Sequence, residues 1–436
     1  MKEPTAQREK WTGPGVAVFW DQSLVWGLIL VKTLADLNVP FQLLSADEIS
    51  AGALRYYRVL IVPGGWAAHK VRALGEAGKA RVKQFVQNGG SYLGICGGAG
   101  LALSSPPSLG LVPLKRMPLS ERLPNASGEI WIQGVPDHPI WEGLPLSLPV
   151  SIWWPSQFMD QPVPESFPLA TYIAPGAGFW VADLPLSDLQ NSELVWNEWE
   201  QIYGINLNPS RLLGHTAIME AGSGKGRLIL SYPHLETPGD PWANRLFSRC
   251  LHYLDQKASV HIFLQDAELN VPAGPIARPG KGTFKHIKEA KEAAEDLIDF
   301  GERHLFWKWR LPWLLNWRRG IRGLEYGTLA VVLAHLHGCL GKLGGEGNGP
   351  EDPWLETAKR IKEQVDGFCQ LAKELLMEEK VATQTRNLTK LGKVNATVDQ
   401  LRTRLFGHKM NHGGLCRGLF DELDRFLLRV MRSGRP

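Results

Sequence analysis

Through the first hundred residues, apolar runs of strand length alternate with segments of helical spacing, and glycines stand at the joins. Val16 to Trp20 is the first such run. The segment Leu24 to Leu37 follows, with Leu24, Leu28, Val31 and Leu34 on one helical face. Phe41 to Leu44 and Val59 to Val62 are further short strands, the latter stopped by Pro63-Gly64-Gly65. A helix is predicted over Gly75 to Asn88, Gly89-Gly90 ends it, and Ser91 to Ile95 is the next strand. Alternation with short glycine-rich connections selects the α/β class, a parallel sheet covered on both faces. A chain of 436 residues with 44% hydrophobic side chains has ample material for two or three cores.

From Ser104 to about Leu213 the pattern changes to short strands broken by Pro and Gly, which predicts a β-rich insertion or edge extension. Seven of the 17 tryptophans lie there, and Trp131, Trp153, Trp154 and Trp180 are expected to border a pocket. The α/β pattern resumes at Thr216 to Met219. A turn in Gly222-Ser223-Gly224-Lys225-Gly226 leads to the strand Arg227 to Ser231, and the helix Trp242 to Leu254 closes the unit. That glycine run lacks the phosphate-loop spacing and precedes a strand, so it reads as a hairpin turn. Leu269 to Gly282 is dense in Pro and Gly and reads as a linker. Helical stripes follow, the clearest running from Leu419 through Leu423, Phe426 and Leu427 to Val430. The expected division is a tail over 1–14, an α/β domain over 15–256, a linker over 257–282 and an all-α domain over 283–436.

One segment carries chemistry. Gly94-Ile95-Cys96-Gly97-Gly98 directly follows a predicted strand, and a nucleophile set between glycines at a strand-to-helix turn projects at the carboxyl end of the sheet. The following helix would point its free N–H groups at Cys96 and favour thiolate. A proton shuttle is available at the end of the last predicted strand, in Ser231-Tyr232-Pro233-His234-Leu235-Glu236. His234 could take the Cys96 proton and return it to a leaving amine. Glu236, two positions on, lies on the same side of an extended chain and can orient the imidazole.

These residues, with the Pro63-Gly64-Gly65 turn and Gly224-Lys225-Gly226-Arg227, resemble class I glutamine-amidotransferase-like domains. The order is most similar to the branch found at the amino terminus of some eukaryotic biotin–protein ligases and in stand-alone bacterial proteins. The resemblance covers about residues 15–255. It implies a flavodoxin-like sheet, a Cys96–His234–Glu236 triad, and an oxyanion hole formed by the N–H of Gly97 and one from the Gly64–Gly65 turn. Three positions depart from the family. Leu235 stands where proline is frequent, and Gly100 stands where glutaminases place a substrate-holding glutamine, which counts against free glutamine as substrate. No synthetase domain and no biotin-ligase motif follows. The resemblance therefore implies a cysteine-dependent hydrolase or amidase with a thioester acyl-enzyme, acting on a small molecule or peptide. The alternative is an inactive scaffold of the same fold whose helical domain docks a partner or an anionic membrane surface.

The remaining features are given their ordinary readings. His408, His412 and Cys416 recur every four residues, but Gly413-Gly414 interrupts that face, and no metal site is expected. His335 and His337 do not share a helix face. No cofactor is expected. Phe306 to Arg319 interleaves Trp307, Trp309, Trp313 and Trp317 with cations; it is expected to pack between the domains as a helix, though Pro312 argues against a long regular one, rather than to be an interfacial segment. Residues 386–436 hold 11 Lys+Arg against 4 Asp+Glu, spread between apolar positions as on the solvated face of a bundle. With a net charge of +4 and no accompanying motif, a nucleic-acid partner is not expected. Five scattered cysteines make no disulfide framework, the start lacks an apolar signal region, and no apolar run reaches spanning length. The expected compartment is the cytoplasm.

Overall fold

A computed structural model of the chain describes residues 15–189, 193–259, 278–344, 352–384, 392–407 and 412–434. The expected tail over 1–14, most of the expected linker and His408 lie outside the described residues. The chain divides into two compact units, Met1–Ala267 and Glu268–Pro436.

The first unit opens with β1 (Val16–Phe19), α1 (Val25–Asp36), β2 (Phe41–Leu44), α2 (Ala46–Ser50), β3 (Val59–Val62), α3 (Ala67–Gln87), β4 (Ser91–Ile95) and the short α4 (Gly97–Ala102). The predicted insertion supplies β5 (Ala126–Gly134), β6 (Ser147–Trp153), β7 (Ser166–Pro175), β8 (Trp180–Val181), β9 (Leu184–Pro185) and α5 (Glu193–Tyr203). The hairpin β10 (Thr216–Ser223) and β11 (Gly226–Ser231) and the helix α6 (Pro241–Lys257) complete it.

One sheet runs through the unit in the order β2-β1-β3-β4-β11-β10-β7-β5-β8-β9, with β6 on β5. Its first five strands are parallel, and their order is that of the flavodoxin-like doubly wound sheet. Every residue of β1, β3 and β4 is buried, as apolar runs covered on both faces must be. The insertion joins the same sheet: β10, β7, β5 and β8 continue it as antiparallel strands. Glycine-rich residues 222–226 form the predicted hairpin turn between β10 and β11.

The second unit is helical: α7 (Lys281–Arg303), then β12 (Trp307–Leu311) and β13 (Leu314–Trp317), then α8 (Gly323–Lys342), α9 (Leu355–Thr383), α10 (Ala396–Phe406) and α11 (Gly414–Ser433). The hairpin β12–β13 stands where a helix was expected, so this unit is not wholly α. Pro312 cannot donate the hydrogen bond a helix needs there, and Trp307 is buried while Lys308 and Trp309 are exposed. Trp307 belongs to the unit's own core: its indole N–H donates to the Ile298 carbonyl at 3.0 Å, and its ring lies 5.2 Å from that of Tyr326. Among the described residues no helix is long and apolar enough to cross a membrane, and no cluster of three metal-ligating side chains occurs.

Two buried groups of this unit titrate in opposite senses. Burial depresses His412, packed edge-on against Phe420, to about 4. Burial raises Glu379 to about 7 despite its 2.7 Å contact with Arg402. From pH 6.5 down to 4 the unfolded chain binds a proton at His412 that the folded chain refuses, so that contribution to stability is lost on acidification. Glu379 binds its proton first in the folded state and works the other way below pH 7, so His412 is isolated by difference. Relative to His412→Gln, the wild type is expected to lose about 1.4 kcal/mol per pH unit across that window. Hydrogen exchange of α11 peptides in the full chain measures it; curves that stay parallel from pH 7 to 4 would contradict it.

Candidate active site

The carboxyl ends of the parallel strands carry the predicted residues. Cys96 sits between β4 and α4 with φ 47° and ψ −103°, a backbone conformation that β-carbon-bearing residues adopt at a cost of about 1–3 kcal/mol. Its neighbours must be glycine for a packing reason. A Cβ on Gly97 would lie 1.8 Å from the Gly65 carbonyl oxygen, and one on Gly98 would lie 1.9 Å from that of Val62. The loop after β3 is thus pressed against the elbow, and the Cys96 N–H donates to Ser231 at the end of β11 at 2.7 Å.

The chain beyond β11 fixes the histidine. The His234 N–H donates to the Ser151 carbonyl at 2.8 Å, and Thr237 Oγ1 donates to the His234 carbonyl at 2.8 Å. From α1, Thr33 Oγ1 donates to the Glu236 carbonyl at 2.6 Å. Both side chains are wholly buried, and His234 Nδ1 meets Glu236 Oε1 at 2.8 Å. The Trp26 ring lies over the imidazole with centroids 4.6 Å apart. Burial alone would strip His234 of its proton; Glu236 and then Cys96 outweigh it and raise the group to about 10. At neutral pH the imidazole therefore keeps its proton. Among the described residues its Nε2 has no hydrogen-bond partner of regular geometry, while the Cys96 sulfur raises its proton affinity. Such contacts are often loose before substrate binds.

Gly64 and Gly65 lie between these two parts. A Cβ on Gly64 would stand 3.0 Å from His234 Cε1, and Gly65 has a φ of +106°. Gly97 opens α4, where no preceding turn supplies a carbonyl for its N–H. The structure thus brings Cys96, Gly97, Gly64, Gly65, His234 and Glu236 to one end of the sheet. Burial pushes the thiols of Cys250, Cys339 and Cys369 up.

Sequence reasoning missed several neighbours. Trp26 follows the carboxyl end of β1, beside the point where strand order reverses, and that position was its available signal. Trp154 lies edge-on to Trp26 at 6.4 Å, and Trp153 donates to Thr237 Oγ1 at 3.2 Å, so two insertion tryptophans reach the site. Trp131 and Trp180 stand instead within β5 and β8. Arg116, Arg122 and Tyr232 were also missed; they approach from the connection after α4 and the end of β11.

Residues 53–105, which contain β3, β4 and the elbow, match the family described as biotin-protein ligase, N terminal. The motif resemblance is borne out over that segment. No curated protein matches the chain. Among solved structures, a protein described as ThuA-like from Bacteroides uniformis is 11% identical with a TM-score of 0.38, over 58% of this chain and 96% of its own. A β-galactosidase from a Rahnella species is 13% identical with a TM-score of 0.34, over 55% and 31%. A glutamine amidotransferase from Thermotoga maritima is 12% identical with a TM-score of 0.32, over 56% and 84%. Likenesses this distant say nothing about activity.

Proposed function

We propose that the first unit is a cysteine-dependent hydrolase or amidase. The observation that carries this reading is the buried Glu236–His234 pair, held protonated beside a cysteine in a strained elbow. With His234 already carrying its proton, Cys96 reacts as the thiolate of the ion pair, and the sulfur attacks a carbonyl carbon as the C=O π pair moves to oxygen. The N–H groups of Gly97 and Gly65 are assigned to that oxyanion. The tetrahedral species collapses, the bond to the leaving amine or alcohol breaks, and His234 gives its proton to it. Neutral His234 then takes a proton from water as its oxygen attacks the thioester, and the carbon–sulfur bond breaks to free the acid and restore the thiolate beside protonated His234.

An activated acyl ester, p-nitrophenyl acetate, should leave a hydroxylamine-sensitive acetyl group on Cys96 and none on a Cys96→Ala chain. A chain that never carries the group at Cys96 would point instead to a binding scaffold of the same fold.

A further inference from the structure

We infer that the group bound beside Cys96 carries anionic oxygens, held by Arg116 and Arg122 in the space that Gly100 leaves open. This rests on the thiol reading above for the identity of the reacting sulfur, but the anion site itself stands on separate residues.

Gly100 lies one helical turn beyond Cys96, and its N–H donates to the Cys96 carbonyl at 3.0 Å. Residues four apart share a helix face, so whatever borders Gly100 borders the nucleophile's side of α4. A Cβ there would stand 3.6 Å from Arg116 Nη2 and 3.9 Å from the Tyr232 hydroxyl. A cation and a phenol therefore occupy the place from which a longer side chain would otherwise reach toward substrate.

The chemistry of these groups is unbalanced. Among the described residues, neither Arg116 nor Arg122 is ion-paired to a carboxylate, although other arginines of the chain are. The two bear on each other: with burial the larger cause, Arg116 lowers the proton affinity of Arg122. Arg122 is oriented by a hydrogen bond to Ser156 Oγ. Tyr232 and Tyr172 are buried; the Tyr232 hydroxyl bears on Ser156, and among the described residues the Tyr172 hydroxyl has no hydrogen-bond partner. Two adjacent, half-buried cations without a carboxylate partner form an arrangement that an anionic ligand completes. A carboxylate or phosphate does so, because guanidinium presents paired donors that match two oxygens and phenol adds a third donor. Cys96 stands one helical turn from Gly100, whose open side Arg116 and Tyr232 border, which places the anion within reach of the reacting end of the same ligand. The substrate class is thus an amide or ester whose acyl portion bears a negative charge.

Two measurements test this. The first compares alkylation of Cys96 by iodoacetate and iodoacetamide, each normalised to a free thiol. Wild type should favour iodoacetate by about tenfold or more over the free-thiol ratio. In Arg116→Gln, and in Gly100→Gln, where the added side chain takes the space, the ratio should return to that of a free thiol. The second measures calorimetric binding of inorganic phosphate and of succinate to the folded Cys96→Ala protein, with Arg116→Gln as the control. Arg116-dependent binding of succinate assigns a carboxylate and of phosphate a phosphoryl group. If an anion binds in this way while neither reagent alkylates Cys96, the anion site stands and the hydrolase reading fails. If Cys96 reacts quickly with both reagents at the free-thiol ratio and neither anion binds, the anion site is overturned and the hydrolase reading stands.

Discussion

Replacing His234 with alanine is expected to slow labelling of Cys96 by a chloromethyl ketone about a hundredfold or more near neutral pH. Positioned acid–base groups contribute about 10²–10⁴-fold. Here the imidazole is held protonated by a buried carboxylate at 2.8 Å, so a cation stands ready beside the developing sulfur charge. Alanine removes that cation and also leaves Glu236 buried without a partner, a loss of about 3–5 kcal/mol in stability. His234→Gln separates the two effects, since its amide can still donate to Glu236 but cannot carry a proton between atoms. It should stay folded by circular dichroism and remain slow. Glu236→Gln should slow labelling less, because the ring keeps a hydrogen-bond partner while losing the charge that raises its proton affinity. A His234→Gln chain labelled as fast as wild type would mean that Cys96 reacts as an ordinary thiol.

The second large effect is steric. Gly97→Ala and Gly98→Ala are each expected to cost about 3 kcal/mol or more and to abolish labelling of Cys96, because both methyl groups would collide with backbone carbonyls under 2 Å away. Overpacking against side chains costs about 1–3 kcal/mol, and a backbone oxygen in a sheet-bounded turn has less freedom to yield. Gly100→Ala is the internal control. Its methyl group would meet nothing nearer than 3.6 Å, and alanine is the better helix former, so its stability should stay within about 1 kcal/mol of wild type. Urea unfolding of the three variants decides this. Equal stability of Gly97→Ala and Gly100→Ala would contradict the close packing of the elbow on the Gly64–Gly65 turn.

The residues read most clearly from sequence were those whose geometry is local. Cys96 between glycines after a strand, and His234 two positions before Glu236, are set by backbone periodicity and by turns of a few residues. Trp26 and Arg116 were invisible for the opposite reason. Each reaches the site through tertiary packing, Trp26 from the start of α1 and Arg116 from a connection without periodic pattern, and neither stands in a motif. The sheet shows the same contrast. Strand and helix alternation revealed the parallel half, but that the insertion pairs antiparallel with β10 depends on cross-strand register between β7 and β10, distant in sequence. Trp307 to Trp317 suit either element by composition; Pro312 argues against a long regular helix, and the hairpin pairing resolves them as strands.

The most direct test of the account is the intact mass of the full chain after rapid mixing with p-nitrophenyl acetate, with the modified residue located by peptide mapping. The expected result is a burst of one p-nitrophenolate per chain with the acetyl group on Cys96, lost in Cys96→Ala and slowed strongly in His234→Gln. Acetylation spread over other nucleophiles, or a Cys96 adduct that forms equally fast without His234, would contradict it.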